Sequence, residues 1–145
     1  MSLFIQTTPG LIAIIQTFHI AALATVFISG LLLALRVAGH GLTSEPLGHL
    51  AHRFVKLIWM LLVVLLVSGL LLIIAEPART ITNPAFYWKM AMLAAAIIIT
   101  LWLSKVASRE GERPSPAAVA AGYLAVLLWA GIMIAGRLIA YTESL

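Results

Sequence analysis

The sequence predicts an all-α membrane protein, a four-transmembrane-helix up-and-down bundle, on three observations. Apolar residues make up 63% of the chain and charged residues 10%, against roughly 45–50% and 25% in soluble domains. The mean hydropathy is +1.10. The apolar residues gather in four runs, each near or above the roughly 20 helical residues that cross a hydrocarbon layer about 30 Å thick. Open sheet edges leave backbone groups unpaired in lipid, which excludes strands for runs of this length. All 145 residues are read as one transmembrane domain.

The first run, "LIAIIQTFHIAALATVFISGLLLAL" (11–35), is opened by Pro9-Gly10 and closed by Arg36 and Gly39. Ahead of it, "MSLFIQTTPG" has no basic stretch and no small-residue cleavage site, so this run is read as a retained anchor. The second, "FVKLIWMLLVVLLVSGLLLIIA" (54–75), stops at Glu76-Pro77. Its helix is expected to begin earlier, near Glu45, with Ser44 as N-cap and Pro46 in the first turn. The third, "FYWKMAMLAAAIIITLWLS" (86–104), follows Asn83-Pro84. The fourth, "PAAVAAGYLAVLLWAGIMIAGRLIAY" (116–141), is entered through "RPSP", where a proline in the first turn forfeits no helical hydrogen bond. Short connections make successive helices antiparallel neighbours.

Basic residues set the expected orientation. The side with loops 1–2 and 3–4 carries Arg36, Arg53, Lys56, Lys105, Arg109 and Arg113; the other carries Arg79, Lys89 and Arg137. Six against three points the first side to the cytoplasm and both termini outward. The sequence pI near 10.0 is explained by this flanking charge, with no nucleic-acid partner; the lipid bilayer is the expected surroundings.

Several chemistries are excluded. Without cysteine there are no disulfides, thiolate metal sites or covalent c-type haem. All five acids are glutamates, Glu45, Glu76, Glu110, Glu112 and Glu143, at span ends or in loops. A carboxylate relay through the membrane is therefore not expected. Phosphate-loop, HExxH and Ser-His-Asp patterns are missing, so independent catalysis is not expected.

One histidine interrupts an apolar span. His19 lies about eight residues from the outer end of the first run, at a depth that antiparallel spans reach near Ser68-Gly69, Met92 and Met133. His19, Gly69, Met92 and Met133 then share one layer if their faces turn inward. A glycine opposite a histidine leaves room for a flat macrocycle. One reading makes His19 the axial ligand of a haem b; the other makes it a neutral histidine bonded across helices. His52 is about 16 residues of depth away, roughly 24 Å. It cannot reach the same iron, so a sixth ligand would come from methionine, water, a second copy or a partner membrane subunit.

His49, His52 and Lys56 share a helix face at i, i+3 and i+7, with His40 close across the hairpin. They form a weaker candidate metal or cofactor site, or a face toward the headgroups. Toward the outer end stand Arg79, Lys89 and Arg137. These either snorkel to the headgroups beside Tyr87, Trp88 and Tyr141, or hold anionic groups such as haem propionates.

The segments "TFHIAAL", "LLLALRVAG", "LLVSGLLLIIAEPARTITNPAFYWKMAML" and "WAGIMIAGRLIAY" together resemble a family of small bacterial four-helix membrane proteins, a domain of unknown function. It looks related to the CopD-like copper-resistance domain and, more remotely, to four-helix b-type cytochromes. The resemblance implies the bacterial inner membrane and a helix-1 histidine, matched here by His19. "LALRVAG" lacks the acidic residue expected before its arginine, and the methionine-rich external sites of copper carriers are missing.

Three functions follow as expectations. The first is a haem-b-binding anchor passing electrons between quinone or a partner subunit and an outer-face acceptor, using His19, Lys89 and Arg137. The second is a non-catalytic subunit of a membrane complex, packed through Ala21, Ala22, Gly30 and Gly136. The third is a CopD-like copper transporter using His19 with Met92 or Met133.

Overall fold

The computed structural model describes residues 10–41, 44–110 and 114–141. Pro9, Arg113, Glu112 and Glu143, used in reading the sequence, lie outside them, and so do the side chains of Arg79, Glu110 and Tyr141. The described residues form five helices: α1 (Leu11–Val37), α2 (Leu47–Ala75), α3 (Pro77–Ile81), α4 (Pro84–Glu110) and α5 (Pro116–Tyr141). All but α3 are long and apolar enough to cross a membrane. The chain is thus a multi-pass, all-α membrane protein.

The spans follow the expected bounds except at their ends. α1 and α4 run on past 35 and 104, because helical backbone continues into the interface once the apolar run is over. α2 begins at Leu47 with Pro46 as its N-cap and no side-chain cap, a correction to the expected start near Glu45 under a Ser44 cap. Pro46 has an extended ψ of 132° and disfavours helical backbone at the residue before it, so the first turn starts after it. The short α3 fills the connection between α2 and α4, where Glu76 breaks the α2 backbone at φ −133°.

Sequential neighbours pack side by side, and α1 also packs on α5, closing a four-cornered bundle of spans. At the bottom of α1 the chain turns through Gly39, φ +79°. Its N–H donates to Arg36 O at 3.0 Å and that of His40 to Leu35 O at 2.9 Å. This is a Schellman ending, which requires the left-handed backbone that glycine adopts freely.

The interior divides into two clusters. One, nearer the His19 end, is built from Ala22, Val26, Ile58, Leu65, Ala96, Trp129 and Ile132, with Met92 and Met133 packed on it. The other gathers Leu33, Val37, Leu47, Ala51, Leu103, Ala107 and Ala118. Small residues bring α1 and α5 close: a Cβ on Gly122 would stand 3.3 Å from Ala34 Cα. Arg36, 4% exposed, belongs to this end. Its Nη2 and Nε donate to the Glu45 carbonyl at 2.8 and 3.3 Å. An arginine expected to mark the headgroups thus works as an internal tie between α1 and the loop ahead of α2. Outward, α2 exposes Met60, Val63, Leu66, Val67 and Leu70, a face suited to lipid.

Candidate functional site

His19 sits on the third turn of α1, half-buried. Its Nδ1 lies 2.8 Å from Ser68 Oγ on α2. Ser68 is buried and its hydroxyl donates to Val64 O at 2.6 Å, the back-bond a serine makes inside a helix. A hydroxyl has one proton, and the Val64 carbonyl takes it. The imidazole therefore supplies the proton of the His19–Ser68 bond. This assigns the Nδ1–H tautomer and leaves the Nε2 lone pair free; among the described residues Nε2 has no partner.

Gly69, next to Ser68, is where the depth comparison put it. A Cβ there would lie 3.5 Å from His19 Cε1. The imidazole edge thus stands at ordinary contact distance from the position of that Cβ.

Lys89 enters from α4, diagonally across the bundle. Its Nζ would stand 3.7 Å from a Cβ on Gly136 of α5. Among the described residues the ammonium has neither hydrogen-bond acceptor nor ion-pair partner. Lys89 is half-buried and leans on α5. Arg137, one residue past Gly136, is exposed.

The methionines behave differently. A Cβ on Gly131 would come within 2.9 Å of Met92 Sδ, so Met92 is lodged on the α5 backbone. Met133 packs against the core cluster nearer the His19 end. His19 thus meets Ser68 and Gly69 between α1 and α2, and Lys89 of α4 lies against Gly136 of α5. Ser68 entered the sequence reading only as a neighbour of Gly69, and Gly136 only as a small packing residue. The serine's place one residue before a glycine facing His19 was the signal for it.

His40, His49 and His52 lie at the other end, all exposed. His49 Nδ1 is 3.8 Å from Glu45 Oε2. Among the described residues no three His or Glu side chains gather as a metal site. A shallow crevice separates α2 from α4 with Trp129 of α5 at its floor; a second, between α4 and α5, is lined by Trp88, Met92, Gly131, Ile134 and Leu138. Neither borders His19.

Comparison with protein families, curated proteins and solved structures finds no match, so the geometry alone carries the functional reading.

Proposed function

We propose that the chain is a membrane-embedded electron-transfer subunit that binds haem b, with His19 as an axial ligand. The observation that carries this reading is the His19–Ser68–Val64 chain of hydrogen bonds. A histidine that ligates a metal donates its other ring N–H to a fixed acceptor, which sets both tautomer and ring orientation. Ser68 is that acceptor, and Nε2 is the nitrogen left to bind.

The donor set fits the group in a second respect. Lys89 places an unpartnered ammonium at the same end of the bundle as the imidazole, and an anionic carboxylate such as a propionate would give it the counter-ion it lacks. Haem b bound there supplies one-electron chemistry. The protein's own part is to hold the ring at Nδ1, keep the iron-side nitrogen deprotonated, and neutralise carboxylate at Lys89. His40, His49 and His52 are too far down the bundle to share the site. The sequence resemblance to b-type cytochromes points the same way.

The visible spectrum of detergent-purified protein tests this. A Soret band with α and β peaks on reduction is expected, lost in His19→Ala while the variant still elutes as a monodisperse, helical species. A colourless preparation from haem-supplied cells overturns the reading, as does an unchanged spectrum in a folded His19→Ala.

A further inference from the structure

We propose that the α2–α4 surface at the end holding loops 1–2 and 3–4 binds an anionic phospholipid, its phosphate on His52, Lys56 and Lys105 and an acyl chain along the crevice below. This surface is remote from His19 and does not depend on the haem reading.

The argument begins with charge. His52, Arg53 and Lys56 on α2 and Lys105 and Arg109 on α4 are all exposed. α2 and α4 are antiparallel neighbours, and His52 and Lys105 each lie about a turn and a half in from the α2 start and the α4 end. They therefore stand at matching height on adjoining helices. Lys56 follows one turn after His52 on the same side of α2. Among the described residues His52, Lys56 and Lys105 have no hydrogen-bond or ion-pair partner. The carboxylate contact described at this end, from Glu45, goes to His49. Donors are thus assembled without an acceptor.

Apolar surface continues directly from these donors toward the bundle's middle. Val55, Ile58, Trp59 and Leu62 of α2 face Ile97 and Leu101 of α4 across the crevice. Trp59, 47% exposed, lies one turn beyond Lys56, and Leu101 one turn beyond Lys105. The crevice encloses only ≈ 10 Å³, so a chain lies along it without entering the bundle. A phosphate-height cationic rim above an apolar furrow matches an anionic lipid in both its parts. A free phosphate would use only the rim, and an acidic protein segment would leave the furrow empty. Cation clusters of this kind recognise anionic headgroups where they adjoin the bilayer surface.

Native mass spectrometry of protein released from nanodiscs of phosphatidylcholine mixed with phosphatidylglycerol tests the proposal. Phosphatidylglycerol is expected to stay bound in preference to phosphatidylcholine. Lys56→Gln with Lys105→Gln is expected to lower its retention about fivefold per charge removed, while the Lys56→Arg/Lys105→Arg pair retains it. Trp59→Ala is expected to lower retention as well, through the furrow. Equal retention of the two lipids overturns the proposal, as does full retention in a Gln pair whose melting temperature in phosphatidylcholine is unchanged. Thermal protection by inorganic phosphate equal to that by phosphatidylglycerol would reassign the rim to free anions. Displacement of bound lipid by a polyglutamate peptide would reassign it to an acidic protein partner.

Discussion

His19 and Ser68 divide one imidazole into a fixed nitrogen and a free one, and three substitutions read that division separately. Ser68→Ala removes the acceptor; it is expected to cost about 0.6 kcal/mol of bundle stability, the typical value for an interhelical bond in a membrane. In the proposed holoprotein it is expected to weaken haem retention about 10–100-fold, as loss of a ligand's outer partner does, measured by haem transfer to an apo-globin. Gly69→Ala distinguishes the glycine's two uses. Its new methyl meets His19 at ordinary contact distance, and helix propensity favours alanine by up to about 1 kcal/mol. A stable apoprotein is therefore expected, and loss of haem in that stable variant would place the macrocycle against Gly69. Lys89→Met should act with opposite signs on the two states. Removing an unpartnered charge from the bundle is expected to raise the stability of cofactor-free protein by about 1–3 kcal/mol, while haem retention falls. A thermal-melt pair with and without haem checks both signs.

Element by element, the boundaries were readable because prolines, glycines and charges punctuate the apolar runs. Gly39 ends α1 through its backbone, and Pro116 opens α5 at the expected residue. Depth was readable too, since the rise per residue is constant, and it paired His19 with Gly69. Rotation about each helix axis was not. Arg36 and Lys89 are long, flexible cations at span ends, and composition alone lets each turn outward to headgroups or inward to backbone. Helix-to-helix packing decided, through the Glu45 carbonyl for Arg36 and the bare Gly136 surface for Lys89. The contact Met92 makes was hidden for the same reason: the gap it fills belongs to Gly131 on another helix. Two substitutions probe these packings. Gly122→Val drives a side chain against the Ala34 backbone and is expected to cost about 1–3 kcal/mol, as overpacking does. Arg36→Met strands the Glu45 carbonyl and is expected to cost about 1–3 kcal/mol. Both are measured by unfolding in mixed micelles.

For the whole molecule, the basic count of six against three predicts loops 1–2 and 3–4 in the cytoplasm. The natural chain has no cysteine, so single reporters read topology cleanly. His40→Cys and Ser115→Cys are expected to resist a membrane-impermeant maleimide in intact cells, and Thr82→Cys to react. The reverse pattern overturns the orientation. Mechanically the bundle is unequal from end to end. At the Arg36 end, a guanidinium tie, a Schellman turn and the Gly122–Ala34 approach lock α1 to its neighbours. At the His19 end, α5 offers bare backbone at Gly131 and Gly136 to Met92 and Lys89 of α4. Such a molecule behaves like a peg with a stiff base and a yielding rim. Amide exchange is expected to be faster along the last turns of α5 than along its first. In the proposed holoprotein, haem is expected to enter at this rim without disturbing the base.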